Sequence, residues 1–230
     1  KEGPLKYNGV VYNEMKGAFS SPDEVLEREI MNHLFPDTTY GCESGGDPKN
    51  IPDLTYENFL NFHRTYYHPS NSYIYLYGNM DMEEKLAFLD EHYLSHFDYL
   101  DVDSVIQEQK EFGACRDVTL EYPVAENEGE EDNTYLSYNM VVGNAADSQM
   151  AMAFEVLDYA LLSAPGAPLK QALLDVKAGK DVYGSYDDGI LQPYFTVIAK
   201  GSNPDRKEEF VSVIRQVLGD IVKNGIDKKA

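Results

Sequence analysis

Five histidines and two cysteines are the side chains in this chain best suited to holding a metal or attacking a carbonyl. His92 and His96 stand four residues apart, which would put both rings on one face of a helix, the spacing of a zinc-binding helix. The metallopeptidase version of that pattern needs a general-base Glu between them, and Tyr93, Leu94 and Ser95 occupy the gap. Two imidazoles are also too few ligands for a catalytic zinc, so the pair reads as a solvated helix end, where positive charge suits the macrodipole. His33, His63 and His68 stand apart and read as packing or capping residues. Cys42 and Cys115 form no CxxC pair and have no neighbouring His, which argues against a disulfide framework, a cysteine zinc site or an activated thiol. Ser44-Gly45-Gly46-Asp47-Pro48-Lys49 lacks the spacing of a phosphate loop, and Pro48 removes a backbone donor; a turn is expected. No GxSxG elbow occurs. That leaves Glu14, a lone acid among apolar and small residues in Gly9–Phe19. A carboxylate is costly to bury unpartnered, so composition alone reads it as salt-bridged or on the surface.

The elements that must position these residues follow from periodicity and caps. Val10 to Leu34 has helical spacing with a break near Ser20-Ser21-Pro22-Asp23; Ser21 can cap a second helix with Pro22 in its first turn. Residues 35–53 are rich in Pro, Gly, Asp and Asn and read as loop. Thr55 caps a helix to about Tyr66, with Phe59, Leu60 and Phe62 as its buried face, and His68-Pro69 ends it. Ser72 to Tyr77 reads as a strand, and Asp81 caps a helix to about Phe97. Residues 98–115 lose periodicity and gain charge, as a linker does. Beyond them Asp117–Val124 and Thr134–Val142 read as strands around an acidic loop, Glu126–Asp132. Helices follow at Asp147–Ser163 and Pro168–Val176, then strands at Val182–Tyr186 and Tyr194–Lys200. A last helix runs over Arg206–Lys223 with Phe210, Val213, Ile214, Val217, Leu218 and Ile221 on one face.

The whole chain has 230 residues, 19 Lys and Arg against 40 Asp and Glu, and a net charge of −21. Apolar content of 43% is enough to build cores. So acidic a chain does not suit nucleic acid, whose phosphates need clustered cations; basic peptides or metal cations fit better. No apolar run approaches the ~20 residues that cross a bilayer, and residues 1–20 lack the pattern of a signal peptide. No membrane partner is expected, and a cytoplasmic location with reduced thiols is. Lys1-Glu2-Gly3-Pro4 is no initiating sequence, and Asn224-Gly225 is a helix stop followed by what reads as a new helix start. Both ends are expected to be cuts inside a longer protein.

The run GVVYNEMKGAFSSP from Gly9, followed by LFPDTTYGCESGGDPKNIPDLTYENFLNFHRTYYHPSNSYIYLYGN from Leu34, resembles the insulinase-like (pitrilysin) zinc metallopeptidases, in particular their presequence-protease branch. The likeness is strong over residues 7–97 and weaker over 116–226. It implies an α+β fold of two related units, each with helices packed on a mainly antiparallel sheet and each incomplete. Residues 1–97 would be the C-terminal half of the zinc-binding catalytic domain, 98–115 a linker, and 116–230 most of a second, non-catalytic domain of similar fold. In that family an inverted HxxEH motif supplies two His ligands and the catalytic Glu, and a downstream Glu completes the zinc site; the matching position here is Glu14. No HxxEH occurs in the 230 residues, so its place would precede Lys1. A second Glu often found one heptad before the ligand is Tyr7 here. Glu155-Val156-Leu157-Asp158-Tyr159 can be laid over a decayed HxxEH copy, with Glu155 and Tyr159 in the His positions. The implied function is part of a zinc-dependent metalloendopeptidase that degrades unfolded peptides, and the chain's acidity adds basic peptides as the expected partners. Zn²⁺ belongs to the intact protein, and this stretch alone is expected to be inactive and metal-free, partnered by the missing portions of its own chain. Two alternatives are a catalytically dead structural subunit of the same family and a peptide-binding module acting through exposed sheet edges.

Overall fold

Two packing units divide the chain in a computed structural model that describes residues 3–124 and 129–226. One comprises Lys1–Lys16 with Gly45–Ile106, the other Gly17–Ser44 with Gln107–Ala230. The expected acidic loop falls partly, and the helix start after Gly225 almost wholly, outside the described residues.

Local signals account for the helices of the first unit. Helix α1 spans Val10–Ala18. Helix α3 (Tyr56–Tyr66) begins where the Thr55 hydroxyl accepts the Asn58 amide at 3.1 Å, and helix α4 (Met82–His92) where Asp81 accepts that of Glu84 at 3.1 Å. Between them His68 caps a short 3₁₀ turn at Pro69–Asn71. The Ser70 hydroxyl then accepts the Leu100 amide at 3.1 Å, and Ser104 donates to Asn71 at 2.6 Å, tying residues 100–104 back onto that turn. Two expectations fail here. Ser72–Tyr77 runs without a ladder partner, and α3 buries no residue, with Phe59 70% and Phe62 60% exposed. Both failures have one cause: a strand is completed by a neighbour and an amphipathic helix by a sheet to lie on, and the described residues of this unit supply neither.

The second unit has both. Its sheet is antiparallel in the order β1-β3-β2, with β1 at Thr134–Val141, β2 at Asp181–Asp187 and β3 at Tyr194–Ser202. Period-2 alternation splits β3 between two faces. Phe195, Val197 and Ala199 enter one core with Leu161, Leu162, Leu169, Leu173, Val182, Phe210 and Ile214, while Tyr194 and Ile198 meet Ile30 and Phe35 in another. Helices α5 (Ser148–Asp158), α6 (Pro168–Asp175) and α7 (Lys207–Asn224) cover the first face. Helix α2 (Pro22–Leu34), capped by Ser21 with Pro22 at its start as its sequence requires, covers the second. On α7 the expected apolar stripe is the buried one, with Phe210 and Ile214 essentially inaccessible. Each such side chain contributes roughly 1.5–3 kcal/mol by leaving water. Gly184 lets β2 approach β3, because a Cβ there would overlap the Thr196 carbonyl and sit 2.6 Å from Leu162. The long helix expected from Asp147 changes to a π turn at Tyr159–Ser163. Residues 117–124, expected as a strand, form no ladder. The α+β reading therefore holds, with every strand of the described residues in the second unit.

The segment after residue 106 is fixed at Gln109, which is buried. Its amide side chain accepts from the Asp37 backbone at 2.9 Å and donates to the Asp37 carboxylate at 2.7 Å. Its own backbone is bracketed by the Gln192 side chain, at 2.6 and 3.2 Å.

Candidate metal ligand and polar clusters

Glu14 lies on the exposed side of α1. The helix is set by Asn13, whose amide donates to the Gly9 carbonyl at 2.9 Å and whose side chain donates to Asn8 at 2.9 Å. Next to Glu14, Met15 lies against Gly45, where any Cβ would collide with its thioether. The glycine-rich loop is thus a seat for α1, as well as a turn in which the Lys49 amide donates to Asp47 at 2.7 Å. Of the two readings that composition allows for Glu14, surface residue is the observed one, with no ion pair among the described residues. Among those residues no three His, Cys, Asp or Glu side chains come together to hold a metal. One exposed carboxylate is one ligand where a catalytic zinc takes three from protein, so the residues present do not fit a zinc ion by themselves.

The other candidates separate in the same way. His92 ends α4 and His96 sits in a 3₁₀ turn beyond Tyr93, whose φ of −139° and ψ of −65° break the helix, so the two rings do not share a helical face. His92 packs on Phe88 at 4.6 Å. The isolated histidines pack and cap as expected. His33 bonds the Glu29 carbonyl at 2.7 Å, His63 stacks on Tyr67 at 4.7 Å, and the His68 ring accepts the Ser70 amide at 3.2 Å. Cys42 and Cys115 are free, exposed thiols. Glu155 and Tyr159, the two His positions of the decayed motif, are exposed. Asp158, between them, has one buried carboxylate oxygen without a hydrogen bond, and burial pushes its carboxyl above the usual range.

Sequence reasoning missed the densest polar cluster. Asp23, in the first turn of α2, accepts from Lys200 of β3 at 2.8 and 3.1 Å, from Tyr183 of β2 at 3.1 Å and from Tyr135 of β1 at 3.3 Å. The Lys200 bond holds the Asp23 carboxyl below its usual value, and the Lys200 ammonium is correspondingly raised. Burial, with the Asp23 carboxylate beside it, pushes the Tyr183 phenol up to about 12. The sequence offers only Ser21-Pro22-Asp23 as a helix start; its three partners lie 112 to 177 residues away. A second cluster on α2 opens toward Thr39–Ser44. Burial raises the Glu27 carboxyl there, and the charges of Glu24, Asp187 and Glu43 add to it, while Arg28 lies over the Phe19 ring at 4.5 Å and bonds Glu29 at 2.8 Å.

Comparison with known proteins places these features in a larger frame. The family model described as Peptidase M16 inactive domain matches residues 53–230. Protein HypA of Clostridium perfringens is 51% identical over 229 residues, which is 100% of this chain and 24% of that protein. Presequence protease 1, chloroplastic/mitochondrial, of Arabidopsis thaliana is 36% identical over 230 residues, 98% of this chain and 21% of the relative. The chain thus spans about a quarter or less of the length of these curated relatives. Among solved structures, a peptidase M16 inactive domain from Pseudomonas fluorescens superposes with a TM-score of 0.63 at 19% identity, over 95% of this chain and 52% of that one. A protease from Helicobacter pylori gives 0.59 at 17% identity, over 95% and 52%. These two likenesses carry the fold alone.

Proposed function

The chain belongs to the peptidase M16 family, and on that premise we propose that it serves as part of a zinc-dependent metalloendopeptidase that degrades unfolded peptides, with Glu14 as one ligand of the metal. The observation that carries this reading is the likeness to presequence proteases along nearly the whole chain, at 36% identity over 98% of its length. The exposure of Glu14 supports it, because a carboxylate free of internal partners is available to a metal completed by residues outside the chain. The uncovered aromatic faces of α3 and residues 73–77 support a further portion of the same protein as their partner. The test is peptidase activity of the longer protein on unfolded peptides, with and without a chelator. Chelator-sensitive cleavage is expected from it and none from residues 1–230 alone; cleavage that survives complete metal removal overturns the reading.

A second reading is a catalytically inactive structural subunit. It draws on the family model itself, which describes an inactive domain and covers residues 53–230. A longer protein that carries an intact HxxEH and cleaves peptides excludes it.

A further inference from the structure

Asparagine followed by glycine occurs twice in the chain, as Asn8-Gly9 and Asn224-Gly225. The pair is chemically labile, because a glycine amide nitrogen unshielded by any Cβ can reach the asparagine side-chain Cγ and close a five-membered ring. Closure needs a glycine N–H that is not engaged elsewhere, an amide carbon open to attack, and backbone free to turn onto it. The two sites differ in these respects.

Asn224 is the last residue of α7, and the Gly225 N–H donates to the Ile221 carbonyl at 2.8 Å. Ring closure there breaks a backbone hydrogen bond and unwinds the end of the helix. Asn8 and Gly9 precede α1 instead, and both are exposed. The Gly9 carbonyl accepts the Asn13 amide at 2.9 Å, which makes Gly9 the first residue of the helix ladder. Its own N–H is one of the amides that a helix start leaves unpaired, and among the described residues nothing accepts it. On the other reactant, the Asn8 side-chain oxygen accepts the Asn13 side-chain N–H at 2.9 Å. That bond draws electron density away from Cγ, and the Asn8 amide nitrogen, the group that would depart, has no partner among the described residues.

We propose that Asn8 is a site of spontaneous deamidation in the folded chain, whereas Asn224 is protected. The Gly9 nitrogen bonds to Asn8 Cγ and gives up its proton. The bond from Cγ to the side-chain nitrogen breaks, and that nitrogen leaves with the proton as ammonia. Water then opens the succinimide at either carbonyl. Cleavage of the new bond to Cγ gives aspartate; cleavage of the main-chain bond gives isoaspartate, whose backbone is longer by a methylene. Either product places a carboxylate at the N-terminal end of α1, where the helix macrodipole favours it, in the helix that carries Glu14.

Ageing the chain at physiological temperature and mildly alkaline pH, followed by peptide mapping with mass spectrometry, reads the two sites separately, and a sample in denaturant gives their rates without structure. In the native chain Asn8 should react at least about threefold faster than Asn224, the ratio expected when one net backbone hydrogen bond must be broken at the slower site. In denaturant the two rates should approach each other. Gly9→Ala should slow Asn8 severalfold and leave Asn224 and the melting profile unchanged, because a Cβ at Gly9 meets only Tyr12, at 3.8 Å. Equal native rates at the two sites, faster loss at Asn224, or an Asn8 rate well below its value in denaturant overturns the proposal.

Discussion

A half-exposed carboxylate with donors from three strands makes Asp23 the residue that pins α2 to the sheet. Solvent screens the pair with Lys200, so Asp23→Asn should cost about 1 kcal/mol at neutral pH rather than the several of a buried ion pair. Because the folded-state carboxyl is lowered, its stabilisation is complete above the unfolded value of about 3.9 and is lost as pH falls through the lower folded value. Denaturant unfolding of wild type and variant from pH 7 down to 2 should therefore converge at the acid end. Tyr183 works in the opposite direction: raised to about 12, it stabilises fully below the unfolded value of about 10 and loses that contribution as pH climbs to 12. Asp158 is the converse acid. Its raised carboxyl destabilises the fold at neutral pH, and its charge stands at the C-terminal end of α5 where the macrodipole opposes it. Asp158→Asn should leave the fold intact and stabilise it at pH 7 by no more than about 1 kcal/mol, an advantage that shrinks as acid protonates the wild-type carboxyl.

Caps and breaks were legible at the level of elements because they are local. Ser21, Thr55, Asp81 and Asp147 each sit at a helix start and accept an amide three residues on, and nothing distant is needed to predict that. Faces and ladders were legible only where their partners are present. The stripe on α7 is buried because the sheet lies under it, whereas the equally apolar Phe59 and Phe62 of α3 meet no sheet in their unit. Ser72–Tyr77 has the composition of a strand without a neighbour to make it one. The Asp23 cluster escaped for a related reason, since a hydrogen bond across 177 residues leaves no mark in the spacing of either partner. Glu14 became a candidate only through family resemblance; the motif around it has no internal chemistry that would single it out. Gly184 carries a prediction at this scale. Gly184→Ala forces a methyl into the Thr196 carbonyl and Leu162, and should destabilise the second unit by about 1–3 kcal/mol, read from the denaturation midpoint.

At the scale of the whole molecule, charge and metal decide the account. A net charge of −21 should favour extended peptides rich in Lys and Arg in the longer enzyme, through an attraction that fades as salt shortens the Debye length from about 10 Å at 0.1 M. Matched basic and acidic peptides should thus differ in kcat/KM at low salt and converge as salt rises; equal values throughout would leave the acidity as a solubility feature. The most direct measurement of the central claim is the zinc content of the longer protein, wild type against Glu14→Gln, taken together with peptide turnover and thermal unfolding. Glutamine is nearly isosteric, is a poor zinc ligand and lacks the negative charge that helps hold the ion. The account predicts an unchanged melting profile for the metal-free forms, loss of stoichiometric zinc and loss of chelator-sensitive turnover in the variant; wild-type zinc content and turnover in Glu14→Gln would contradict it.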